Sequence, residues 1–148
     1  MSNWPNALVV VAFVSWAIPL VWTDFREHRL PDRLTLAAYP LAAIATATIA
    51  PAHLGGAALA AVVAITIAWI AHQLADLGFG DVKLVGSCAL VLGVTSNPGE
   101  SSVAALFVGA ILAGLHVVIH LGITRDRDAH LPLGPSILVG TFAGLIAG

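Results

Sequence analysis

Long uncharged, apolar segments alternate along this chain with short clusters of charged residues. The charges lie at residues 24–33, 76–83 and 125–128, and Glu100 stands alone. Between the clusters the pattern predicts six apolar segments, at residues 5–23, 34–50, 55–75, 82–95, 102–122 and 133–148. The first would be about 28 Å long as a helix, close to a bilayer core of about 30 Å. The runs are continuous rather than alternating, which indicates helices and not the strands of a barrel.

Composition supports a membrane protein and excludes several other classes. Of 148 residues, 59% are hydrophobic and 9% are charged, and the mean hydropathy is +0.96. Soluble domains carry about 25% charged residues, and disordered chains are poor in apolar residues. A net charge of −2 excludes a basic nucleic-acid binder, and the single Cys88 excludes an internal disulfide or a cysteine-rich zinc site. We predict one all-α, polytopic membrane domain over residues 1–148 with six transmembrane helices.

The distribution of basic residues predicts how this domain sits in the membrane. With six crossings, the loops at 24–33, 76–83 and 123–130 share one side, and they hold all six Lys and Arg residues. Positive loops stay in the cytoplasm, so both termini are predicted to lie outside. The segment at 82–95 is short, but without it Arg125 and Arg127 would fall opposite the first three arginines. We therefore expect a multi-pass protein of the inner or plasma membrane.

Two carboxylates are predicted at the same cytoplasmic edge. Asp24 ends the first apolar segment and Asp81 opens the fourth. Taken singly, Asp24 could be an interfacial charge, and Asp81 could cap a helix after a turn made by Gly78 and Gly80. Taken together, two close carboxylates cannot both ionise easily, so one can act as a base on water while the other donates a proton. Ionisable groups at membrane depth are often functional.

Three motifs resemble those of the type IV prepilin peptidases, membrane aspartic proteases of the GxGD class. Residues 24–35, DFREHRLPDRLT, are similar to the family's D-x6-P-(D/N)-x-L-T segment. Residues 78–84, GFGDVKL, are similar to G-x-G-D-x-K-L, and residues 131–135, LPLGP, to the segment before the final helix. The resemblance implies that Asp24 and Asp81 are the catalytic pair. They would cut short basic leaders from pilin-like precursors at the cytoplasmic face, just before a hydrophobic helix.

The resemblance also assigns expected roles to residues around the pair. Gly78 and Gly80 would shape the loop, Lys83 would orient the site or bind phosphate head groups, and Pro31 would break the loop before the second helix. The implied partners are a pilin-like precursor and the lipid bilayer, with no nucleic acid, no metal and no other cofactor. Larger members carry paired CxxC motifs, which this chain lacks. It therefore resembles the short form that serves Flp-type (tight-adherence) pili, which argues against methyltransferase activity.

Two other interpretations of the carboxylates remain open at the level of sequence. A protease akin to presenilin or signal peptide peptidase would share GxGD, but it would pair it with Tyr-Asp and Pro-Ala-Leu motifs. Here Thr23 precedes Asp24, and the late motif continues Gly-Pro-Ser-Ile. A small transporter or assembly scaffold could use the two acids for protons or partners. That hypothesis leaves the motif of the first loop unexplained.

Overall fold

Six α-helices make up almost all of the structure. The computed structural model describes residues 4–27, 30–75, 78–124 and 133–147. The helices are α1 (Trp4–Glu27), α2 (Asp32–Ile49), α3 (Leu54–Ala75), α4 (Phe79–Val91), α5 (Pro98–Thr124) and α6 (Gly134–Ala147). Short 3-10 turns at Pro51–His53 and Leu92–Val94 precede α3 and follow α4. Each predicted apolar segment falls on one helix, so the all-α class is confirmed.

Three of these helices are long and apolar enough to cross a membrane. The qualifying segments are Ala7–Asp24, Pro51–Gln73 and Pro98–Leu115, while Gly134–Ala147 is apolar but shorter. Large apolar side chains on them point outward, among them Ile18, Ile67 and Phe107, which are 62–69% exposed. A bilayer accepts such a surface, whereas water would not. The protein is therefore a membrane protein. Six crossings with both termini outside stay a prediction.

The short helix α4 lies at the centre of the bundle. It packs against α2, α3 and α6, and residues on every side of it are buried, including Val82, Leu84, Cys88 and Leu90. A helix that neighbours surround on all sides needs no polar face, which explains why α4 has no clear amphipathic stripe. The segment that looked weakest as a membrane span is thus the one around which α2, α3 and α6 pack.

Glycines set the close approach between α5 and α6. A side chain on Gly140 would overlap the carbonyl oxygen of Ala105 and the backbone of Gly109. One turn further along α6, a methyl group on Gly144 would lie 2.5 Å from the carbonyl oxygen of Ser101. Small residues repeated every four positions let helix backbones approach closely where lipid supplies no hydrophobic driving force. The glycines therefore position α6, and with it the residues at its first turn.

Hydrogen bonds between helices fix α2 relative to its neighbours. The Tyr39 hydroxyl donates to the carbonyl oxygen of Lys83 at 2.8 Å, and Thr46 Oγ1 donates to that of Leu90 at 3.1 Å. Trp16 Nε1 donates to the carbonyl oxygen of Leu34 at 3.1 Å, which joins α1 to α2. Polar groups in an apolar environment are costly unless they are paired. These bonds therefore fix the position of α4 along the axis of α2.

We expect Gly140→Ala to lower the melting temperature in detergent, because overpacking of a close helix contact costs about 1–3 kcal/mol. The matched control is Gly114→Ala on α5, where an added methyl group has no atom within 4 Å. Equal melting temperatures for the two variants would show that the α5–α6 contact is not under steric constraint.

Candidate active site

The three sequence motifs meet at one end of the helix bundle. A methyl group on Gly134, at the start of α6, would lie 2.6 Å from Asp24 Oδ2 and 3.5 Å from Leu30 Cδ2. One on Gly80, in the first turn of α4, would lie 2.9 Å from Leu30 Cβ. Leu30 thus lies between the starts of α4 and α6, beside the end of α1. Residues 131–132 of the third motif lie outside the described residues.

Both predicted carboxylates are buried at this end of the bundle. Asp24 lies in the last turn of α1 and is 5% exposed, and Asp81 lies in the first turn of α4 and is 7% exposed. An interfacial charge would extend its carboxylate into water, and Asp24 does not. Its burial therefore argues against the purely interfacial role considered from the sequence.

Asp81 does not cap α4, so that alternative is wrong. The N-cap residue is Gly78, and the backbone N–H of Asp81 donates to the Gly78 carbonyl oxygen at 3.0 Å. A methyl group on Gly78 would lie 3.0 Å from Asp81 Oδ2, so the absent side chain leaves room for the carboxylate. The acid also sits in the first helical turn, where the helix dipole favours negative charge.

The two carboxylates influence each other electrostatically. Burial, and after it the nearby Asp24, raise the pKa of Asp81 from an ordinary value of 3.8 to about 7. Asp81 precedes the apolar part of α4 and lies outside the three helices that could span a membrane. A pair of this kind holds one proton near neutral pH, as proton transfer between water and a carbonyl group requires.

Lys83 joins the second motif to the first. Its Nζ lies 2.6 Å from Oδ1 of Asp32, in the first turn of α2, and 4.5 Å from the ring centroid of Phe79. The Asp32 side chain is 63% exposed, and ion pairs of this kind contribute about 0–1 kcal/mol to stability. The ion pair therefore contributes to the geometry of the site rather than to stability. It links α4, two residues after Asp81, to the first turn of α2. In this arrangement Lys83 contacts a carboxylate of the protein itself.

Pro31 begins α2, as its motif predicts. It is the N-cap residue with φ −65° and ψ 126°, and its carbonyl oxygen accepts hydrogen bonds from the N–H groups of Leu34 and Thr35. The ring fixes this turn because proline restricts φ to about −65°. The residue before it, Leu30, lies against Gly80.

Sequence reasoning assigned no role to several residues that line the site. Leu30 carried no signal, because a lone leucine in a loop is indistinguishable from many others. Gly134 stood in the third motif, and a glycine before a proline at a helix start could have drawn attention to it. The rings of Trp69, His72 and Phe79 lie with centroids 5.8–5.9 Å apart beside Lys83. That cluster unites α3 with α4 and was not predicted.

Comparison with known proteins gives one match. The sequence model of the type IV leader peptidase family matches residues 11–119, which include Asp24 and Asp81 and the first two motifs. The third motif lies beyond the matched range. No curated protein and no solved structure matches the chain.

We expect Asp81→Asn to raise the melting temperature in detergent, and to raise it more at pH 8 than at pH 5. The raised pKa means that the folded state holds this proton more tightly than the unfolded state does. Stability therefore falls as the pH rises from about 4 through about 7, and Asn removes the loss. The change in pKa sets an upper limit of roughly 4 kcal/mol above pH 7.

Thermal melts at both pH values check this expectation. Glu100→Gln is the control, since it removes an exposed carboxylate in the first turn of α5. An equal rise in the melting temperature of Asp81→Asn at pH 5 and at pH 8 would contradict the electrostatic explanation.

Proposed function

The chain belongs to the type IV leader peptidase family, and on that premise we propose that it is an aspartic endopeptidase that removes the short basic leader of pilin-like precursors. The observation that carries the proposal is the burial of Asp24 and Asp81 at one end of the bundle, close enough for one carboxylate to raise the pKa of the other. Family membership favours this function over the presenilin-like protease and the non-enzymatic scaffold considered from the sequence.

The proposed reaction uses one water molecule and one shared proton. The ionised carboxylate, Asp24, takes a proton from water as the oxygen attacks the scissile carbonyl carbon. Asp81, which keeps its proton because burial raises its pKa, donates it to the carbonyl oxygen. Collapse of the tetrahedral intermediate then breaks the C–N bond, and a proton from the pair passes to the leaving amine. The two groups titrate as a unit, so measured pKa values describe the pair.

The glycines beside the pair give this chemistry its space. A side chain on Gly78 would lie against Asp81 Oδ2 and one on Gly134 against Asp24 Oδ2, whereas Gly80 makes room for Leu30 at the start of α4. An extended substrate backbone can approach the carboxylates only where side chains are absent. Lys83 then serves as a positioning residue that holds the start of α4 through its pair with Asp32.

The charge pattern supports the orientation that this function needs. With the basic loops in the cytoplasm, the end of α1 and the start of α4 lie at the cytoplasmic edge of the inner or plasma membrane. A precursor whose helix is inserted in the same bilayer would present its leader at this depth. The proposal is confined to leader cleavage in the manner of the short, Flp-associated form and includes no methylation step.

We expect Asp24→Asn and Asp81→Asn each to reduce precursor cleavage at least about a thousandfold, because either change removes one half of the acid–base pair. The measurement is the rate at which a co-reconstituted pilin-like precursor shortens on a gel, with Glu100→Gln as the control. Cleavage at the normal rate by either Asn variant would overturn the carboxylate mechanism.

We expect Gly134→Ala to lower kcat about tenfold or more, since the added methyl group displaces Asp24, and small misplacements at a reacting centre are costly. The matched control is Gly99→Ala, which also lies at a helix start but has no atom within 4 Å of the added methyl group. An unchanged kcat for Gly134→Ala would show that displacement of the Asp24 carboxylate does not slow the reaction.

A further inference from the structure

An apolar groove lies between α1 and α6 on the outside of the bundle. Its floor is formed by buried side chains, with Phe13 6% and Leu138 3% exposed. Its walls are exposed apolar side chains, Ile18 and Trp22 from α1 and Val139 from α6. The groove has a volume of about 560 Å³. It therefore presents a concave apolar surface on a face of the protein that lipid would otherwise cover.

One end of the groove lies at the candidate active site. Thr23 lines that end, and the next residue is the buried Asp24. The wall from α6 begins one turn after Gly134, which lies against the Asp24 carboxylate. From Thr23 the lining continues along α1 to Phe13, a distance of about 15 Å at 1.5 Å per residue. An elongated apolar ligand in this groove would thus have one end beside the carboxylates.

We propose that this groove binds the hydrophobic helix that follows the scissile bond of the precursor. The inference rests on the proposed function, in which the bond between leader and helix is cut at Asp24 and Asp81. If the scissile bond is held there, the precursor helix that follows it begins at the same point and enters the bilayer along the protein surface. The groove starts at that point and follows α1 from Thr23 to Phe13, within the segment Ala7–Asp24 that is long enough to span the membrane.

The dimensions of the groove indicate how much of the helix enters it. The groove is open along its length of about 15 Å, and a whole helix is about 10 Å wide, so a helix can only lie against it and is not enclosed by it. One face of the helix therefore fits, with side chains at every third or fourth position lying between α1 and α6. Arg26 lies over the Trp22 ring at 4.5 Å from its centroid, at the end of the wall next to the site.

A second groove on α5 provides a matched comparison. It has a volume of about 440 Å³, and all of its lining residues, Val103, Leu106, Phe107, Ala110 and Ile111, come from that one helix. None of these lining residues adjoins either carboxylate in the sequence. Its apolar character resembles that of the first groove, so it controls for unspecific effects of bulky side chains at the lipid surface.

The test fills each groove in the full-length, reconstituted protein. Ala17→Trp fills the groove between α1 and α6, and Ala110→Trp fills the one on α5. Each variant is assayed with a complete pilin-like precursor and with a peptide that spans the leader junction but lacks the hydrophobic helix. We expect Ala17→Trp to raise KM for the complete precursor about three- to tenfold, a modest effect because helix contacts in lipid gain only from packing. The short peptide is cleaved as before.

The outcomes separate this inference from the proposed function. If Ala17→Trp and Ala110→Trp leave KM for the precursor equal while the Asn variants of Asp24 and Asp81 are inactive, the groove holds lipid or another partner and the peptidase assignment stands. If the Asn variants remain active, the proposed function itself fails. If Ala17→Trp impairs both substrates equally, the effect is on the fold, and the inference is judged by cross-linking alone.

Cross-linking avoids bulky substitutions altogether. Val139→Cys in the groove is paired with single cysteines placed along the precursor helix, and Ala110→Cys is the control. The native Cys88 is buried and 4% exposed, so it does not compete. We expect disulfides with Val139→Cys at precursor positions three or four residues apart and none with Ala110→Cys. Equal cross-linking from both positions would overturn the proposed docking.

Discussion

The burial of two carboxyl groups at one end of a membrane helix bundle is the constraint on which this structure depends. Asp24 and Asp81 come from helices far apart in sequence, and each sits where water reaches only a few per cent of its surface. Such a pair is unfavourable when both groups are ionised, because burial and mutual repulsion act in the same direction. The bundle must therefore supply enough packing elsewhere to hold them together. The proton that the pair retains is the one that the proposed reaction uses.

The packing that holds the pair comes from small residues and interhelical hydrogen bonds. Gly140 and Gly144 bring α6 against α5, which places Gly134 beside Asp24. The hydroxyl groups of Tyr39 and Thr46 donate hydrogen bonds to carbonyl oxygens of α4 and fix its position along the axis of α2. In lipid these contacts are individually modest, and their sum restricts α4 to one position. The geometry of the candidate site is thus a consequence of how the helices pack over their whole length.

The same arrangement explains why the site and the proposed docking groove are continuous. α1 contributes Asp24 at its end and the groove wall along its length, and α6 contributes Gly134 at its start and the opposite wall. A substrate that is half leader and half hydrophobic helix requires one polar and one apolar surface that meet at the scissile bond. The end of α1 and the start of α6, which meet at Asp24 and Gly134, provide both.

The sequence by itself determined the helical class, the membrane setting, the family and the identity of the two carboxylates as candidates. Helix periods and span lengths follow from local apolar runs, and the motifs are contiguous, so each could be recognised from neighbouring residues alone. Only the tertiary structure decided that Asp81 is not a helix cap, that Lys83 pairs with Asp32, and that Leu30 lies between Gly80 and the start of α6. Those facts depend on how far separate helices are shifted along their axes and rotated about them when they pack. Packing of that kind is a long-range property, which no local pattern of residues encodes.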